Sequence, residues 1–149
     1  MSGFRAFGDT RDVGPRRGAL SLIADGRGRL LLQLRDADPT VTHPGLWGLF
    51  GGGVEPGESL KAAAIRELDE ELGIAPAPTA LQPFGWVASD SARKAALYVF
   101  AAHWNLAPAQ IRLGEGAGFG FFTPDQARTL PFVAVLKPVL DAYIAEHLT

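Results

Sequence analysis

Cysteine is absent from the chain, which excludes disulfides, thiolate metal sites and a cysteine nucleophile together. A basic excess is missing too: 14 Lys and Arg face 16 Asp and Glu, for a formal net charge of -2. Duplex nucleic acid and anionic membranes are usually met by a basic face, so neither is indicated as a partner. The small concentration at Arg11, Arg16 and Arg17 reads as solvated surface. No apolar run approaches the roughly 20 residues of a membrane span. Residues 2–17 are polar and charged where a signal peptide would need an apolar stretch, so a cytoplasmic location is expected.

What is present suits one globular domain. The 149 residues are 47% hydrophobic and 20% charged, enough to enclose a substantial core. Neither repeats nor low-complexity tracts interrupt them.

Residues 1–17 lack periodicity and read as a loosely held arm or edge segment. Apolar runs at 19–24 and 30–34, separated by Asp25-Gly26-Arg27-Gly28, predict a hairpin. The proline-bearing stretch 36–45 reads as a loop of functional length. Residues 47–50 run into Gly51-Gly52-Gly53, which cannot be helical. A helix is predicted from Leu60 to Leu72, with Ser59 as N-cap and Gly73 as the left-handed stop. Residues 75–83 read as a linker, 84–89 and 95–104 as strands joined by a polar turn, and 118–122 as a further strand. Thr123 resembles an N-cap followed by Pro124 at the first helical position. The tail 131–148 has a helical pattern that Pro138 must start, kink or divide. Strands on both sides of a central helix give an α/β domain with a mixed sheet.

On a helical wheel, Glu67, Glu70 and Glu71 share one arc, because i, i+3 and i+4 are surface neighbours. Ile65, Leu68 and Leu72 fall on the adjacent arc and are expected to face a core; Ala62 and Asp69 face solvent. No lysine stands at i+4 to relieve the three like charges, which destabilises an isolated helix. A hard divalent cation would relieve them, since such ions take carboxylate oxygens and bridge to phosphates. An isolated E-x-x-E-E pattern is more often a solvated acidic face. The upstream sequence Gly51-Gly52-Gly53-Val54-Glu55-Pro56-Gly57-Glu58 alters that balance. Glycine permits close backbone approach to a ligand, and the following helix N-terminus favours anions.

Residues 52–74 resemble the Nudix box, G-x5-E-x7-R-E-U-x-E-E-x-G-U with U aliphatic. All nine specified positions match: Gly52, Glu58, Arg66, Glu67, Leu68, Glu70, Glu71, Gly73 and Ile74. The resemblance implies a Nudix-type α/β/α sandwich with a central mixed β-sheet. It also implies Mg²⁺- or Mn²⁺-dependent hydrolysis of a pyrophosphate bond in a nucleoside diphosphate derivative. By position, Glu70 and Glu71 look like the principal metal ligands and the Gly51 carbonyl like an additional one. Glu67 looks like a ligand or the general base. Glu58 and Arg66 look supportive, orienting carboxylates through charge-assisted hydrogen bonds.

Outside the box the signals are thinner. Glu115, between two glycines, is the candidate for the distal acidic residue that many family members add as ligand or base. Arg35, with the Gly52 and Gly53 backbone, is the candidate for a substrate phosphate. Trp47, Phe84, Trp86, Tyr98 and Trp104 read as core or sheet-face residues. His43 reads as a loop residue without catalytic duty, and Asn105 as a turn residue.

The proline that follows the box in ADP-ribose hydrolases is Ser89 here, and the tyrosine of diadenosine-polyphosphate hydrolases is missing from Asp90-Ser91-Ala92. The resemblance therefore favours mutator-type (d)NTP pyrophosphohydrolases and the smaller nucleotide-sugar hydrolases, releasing a nucleoside monophosphate. Alternatives are a non-catalytic nucleotide-binding module, which usually loses box carboxylates, and an RNA-end pyrophosphohydrolase, which would show a basic surface. The arm and the C-terminal helix leave a homodimer open.

Overall fold

The computed structural model describes residues 3–114 and 116–148. Eight strands form one sheet: β1 (Arg5–Ala6), β2 (Arg17–Ala24), β3 (Leu30–Leu34), β4 (Trp47–Gly48), β5 (Phe50–Gly53), β6 (Leu81–Ala88), β7 (Ala96–His103) and β8 (Gly118–Phe122). The helices are α1 (Leu60–Leu72), α2 (Pro124–Thr129) and α3 (Lys137–His147). The strand order is β1-β6-β7-β2-β3-β4, with β5 also on β2 and β8 also on β3. The β1–β6 and β2–β7 pairs are parallel and the others antiparallel, so the sheet is mixed, as expected.

Side chains alternate along a strand, and β2 feeds two cores by that rule. Leu20, Leu22 and Ala24 pack with Val139, Leu140 and Ile144 of α3. Ala19 and Ile23 pack on the other face with Leu60, Ala64, Leu68 and Leu72 of α1. Helices thus cover both faces, in the expected α/β/α arrangement.

Pairing along β2 changes partner midway. Ile23 and Ala24 pair with β3, whereas 18–21 pair with the glycine-rich β5. This places the Gly51–Gly53 backbone at the centre of the fold, directly before α1.

Ile65 faces the α1 core as expected but stays half-buried at its margin, where Leu68 and Leu72 are fully buried. The stretch 75–83 is not wholly linker: β6 begins at Leu81 and accommodates Pro83 at a shift in register before Gly85. Proline cannot donate to the ladder, so a bulge is where a strand tolerates it. The arm does supply the edge segment that was expected, with Arg5 opposite Gly85 and bonded to Glu146 of α3 at 2.6 Å. The tail becomes α-helical only at Lys137, and Pro138 lies in its first turn. Before it, Phe132 bridges to Trp47.

Candidate active site

The caps of α1 fix its position. The Ser59 hydroxyl accepts from the Ala62 N–H at 3.0 Å, and Gly73 takes φ 72° with its N–H on the Asp69 carbonyl. Beyond the helix, the Arg112 N–H donates to the Leu72 carbonyl and the Gly114 N–H to the Glu71 carbonyl. A distant segment therefore satisfies helix-end carbonyls that would otherwise lack partners. Glu115 itself lies outside the described residues.

The structure brings the box residues together in two layers. Glu71 is buried, only 2% exposed. Its two carboxylate oxygens accept from the Gly51 N–H and from the Gln33 side-chain amide, both at 2.8 Å. Glu67 is also buried and lies against Gly52, where an added Cβ would stand 2.4 Å from its Oε1. Gly51 has φ 149°, and a Cβ there would meet the Ala19 carbonyl at 2.3 Å. A side chain at Gly51 would strike backbone, whereas one at Gly52 would strike the movable end of Glu67.

Glu70 is the more exposed member and meets Arg66 Nη1 at 3.3 Å. Arg66 also grips Glu58 with two parallel bonds, Nε to Oε2 at 2.8 Å and Nη2 to Oε1 at 3.0 Å. The same guanidinium donates to the Gly53 carbonyl at 2.9 Å and to Glu67 at 3.1 Å. Arg66 thereby joins the glycine strand, the loop before α1 and two carboxylates. It holds the Glu58 carboxyl well below its usual range, at about 2, with help from the Glu55 N–H. Those partners in turn raise the Arg66 pKa, with Glu58 contributing most.

No lysine stands at i+4 from the three glutamates, but Arg66, at i−4 from Glu70 and beside Glu67, supplies the positive charge and makes the charge-assisted bonds expected of it. Gln33, a lone amide in the apolar run Leu30–Leu34, was missed; its position inside a buried strand was the available signal.

Among the described residues, no three acidic or histidine side chains converge as a ready-made metal cage. Mg²⁺ does not require one: it commonly takes one or two carboxylates, retains waters and uses substrate phosphates for the rest. A donor set of neighbouring carboxylates beside a bare glycine backbone fits such an ion.

Two cavities share lining residues at this point. The smaller, about 390 Å³, is lined by Gln33, Asp36, Glu71 and Gly114 among others. The larger, about 660 Å³, has an aliphatic floor of Leu20, Leu49, Leu97, Val133 and Leu136. Gly51 and Arg35 line both cavities. Gly52 and Gly53 line the larger one, as do Arg16, Arg17 and Arg93. Arg16 and Arg17 are therefore cleft residues as well as surface residues, which a short charge run could not reveal.

The aromatic residues stay outside the cleft. Trp47 packs edge-on against Phe122, Phe84 against Tyr143, and Trp86 stacks with Tyr98. Trp104 is half-buried beside the α1 core. Asn105 accepts from the Gly26 N–H and so holds the hairpin turn. These match the structural roles expected of them.

Comparison with known proteins agrees with this geometry. A family model described as a NUDIX domain matches residues 14–143. A CTP pyrophosphohydrolase of Escherichia coli K12 is 29% identical over 128 residues, covering 85% of this chain and 90% of that protein. The nucleoside triphosphatase NudI of Escherichia coli O1:K1 is 47% identical over 57 residues, 38% of this chain and 39% of its own length. The crystal structure of a MutT protein from Methanosarcina mazei superposes with a TM-score of 0.74 at 22% identity, covering 100% of both chains.

Proposed function

The chain belongs to the Nudix family of pyrophosphohydrolases, and from that premise we propose that it cleaves a (d)NTP to a nucleoside monophosphate with Mg²⁺ as cofactor. The observation that carries this reading is the junction of the two cavities. Glu71, the Gly51 backbone and Arg35 line the polar cavity, and Gly51 and Arg35 line the aliphatic cleft as well. The aliphatic cleft suits the nucleoside, and the polar cavity beside Glu71 suits the phosphates. The names of the two Escherichia coli relatives support a triphosphate over a nucleotide sugar.

Glu70, Glu71 and the Gly51 carbonyl would hold the Mg²⁺, with Mn²⁺ as a substitute. The bound ion supplies charge neutralisation of the diphosphate and a lowered pKa for attacking water. The protein's own contribution is orientation. Gly51 N–H and Gln33 hold the Glu71 carboxylate in one rotamer, and Arg66 keeps Glu67 and Glu70 from repelling each other apart. Glu67 serves as a further ligand or takes the proton of the attacking water. Arg35 offers its guanidinium to a phosphate at the junction.

A panel of (d)NTPs, oxidised nucleotides and nucleotide sugars, assayed with Mg²⁺ for monophosphate and pyrophosphate release, tests the assignment. The expected result is pyrophosphate from triphosphates. Turnover confined to nucleotide sugars would reject the triphosphate reading.

A further inference from the structure

Two loops meet across the larger cleft. Residues 36–46 form a loop closed at its own base, where the Arg35 N–H donates to the Leu46 carbonyl and the Gly45 N–H to the Asp36 carbonyl, both at 2.9 Å. Residues 89–95 form a turn closed by the Ser89 N–H on the Ala95 carbonyl at 2.8 Å. One side-chain contact joins them: His43 Nε2 lies 2.7 Å from Asp90 Oδ1, 47 residues apart. His43, Thr42, Ser89, Ser91 and Arg93 all line the cleft.

His43 has φ 54°, a left-handed conformation that non-glycine residues seldom adopt. Such a conformation persists where the surroundings impose it. The carbonyl of the preceding residue, Thr42, accepts from Arg35 Nε. That bond leaves the Arg35 Nη atoms without a protein hydrogen-bond partner among the described residues, at the residue that lines both cavities.

We propose that His43 and Asp90 are positioning residues for Arg35. Their contact fixes the backbone at Thr42, whose carbonyl sets the Arg35 guanidinium so that its two outer nitrogens face the phosphate chain at the cavity junction. The proposal rests on the reading of this junction as a nucleotide phosphate site. A simple loop tie would stabilise the fold without knowing whether Arg35 is present; a positioning pair acts through it.

A double-mutant cycle separates the two, because only coupled residues depart from additivity. Arg35→Ala, Asp90→Ala and the double variant are titrated calorimetrically, in Mg²⁺, with the non-hydrolysable α,β-methylene analogue of CTP. Each single change is expected to weaken binding about tenfold, with the double variant no weaker than Arg35→Ala alone. Additive losses, near a hundredfold together, overturn the proposal, as does wild-type affinity in Asp90→Ala. His43→Gln, whose amide still donates to Asp90, is expected to bind like the unmodified protein, while His43→Ala behaves like Asp90→Ala. This pair keeps the test decisive should Asp90→Ala fail to fold. Failure of the unmodified protein to bind the analogue overturns both the phosphate site and the proposal. Coupled binding without any Mg²⁺-dependent turnover of CTP counts against the hydrolase reaction and leaves the positioning role standing.

Discussion

Gly52→Ala separates stability from catalysis at this site. The added methyl group would stand 2.4 Å from Glu67 Oε1 and 2.6 Å from its Cδ, whereas real Cβ contacts do not fall below 3.0 Å. The carboxylate must therefore retreat, and it is the far end of a flexible side chain that Arg66 already holds. Gly52 does not have the positive φ of Gly51, so alanine brings no backbone strain there. Folding stability should change by less than about 1 kcal/mol, since a side-chain end moves and no backbone does. Catalysis is far less tolerant. Productive groups must be held within roughly 0.5 Å, and misplacement by about 1 Å can cost about a hundredfold. The expected result is a ten- to hundredfold fall in kcat with an unchanged urea midpoint. Gly51→Ala is the control, because its methyl would strike the Ala19 carbonyl and the Leu20 Cα. It should lose stability and activity together. Wild-type kcat in Gly52→Ala, or a stability loss equal to that of Gly51→Ala, would refute the reasoning.

The other expectations concern the carboxylates themselves. Glu70→Gln should abolish Mg²⁺-dependent turnover and leave thermal stability intact, because Glu70 is exposed and bonded only weakly to Arg66. Glu71→Gln should abolish turnover and also lower stability by about 1–3 kcal/mol, because an amide cannot accept from both Gly51 N–H and Gln33. Equal thermal midpoints for the two variants would disprove that distinction. Glu58 contributes pH-dependent stability: its carboxyl is depressed from 4.5 to about 2 by Arg66. A depressed acid stabilises the fold above its unfolded pKa, and that contribution fades as pH falls from about 5 towards 2. Glu58→Gln should therefore narrow the difference in urea midpoint between pH 7 and pH 3; an unchanged difference would contradict the assignment. Glu67→Gln and Glu115→Gln, compared by pH–rate profile, should differ, with the true base losing the acidic limb.

Local order was readable wherever neighbours in sequence are neighbours in space. Ser59 and Gly73 announced the ends of α1, and Thr123 and Pro124 the start of α2. Two apolar runs around Asp25-Gly26-Arg27-Gly28 announced the hairpin of β2 and β3. The start of β6 was not legible, because a register shift accommodates Pro83 there and leaves no periodic trace.

By itself the sequence determined the chemistry of one segment, 51–74, because all its parts lie within a strand, a turn and a helix. Spacing fixes geometry over that distance: i, i+3 and i+4 must share a helix face, and Arg66 must reach both the carboxylates and the loop before them. Tertiary structure alone decided what surrounds that segment. It brought Gln33 beneath Glu71, set Arg35 between two cavities, and turned Arg16 and Arg17 into cleft walls. It also joined His43 to Asp90 across 47 residues. Such contacts arise from strand pairing and loop closure, which bring distant residues together by the fold's topology rather than by any repeat in the chain.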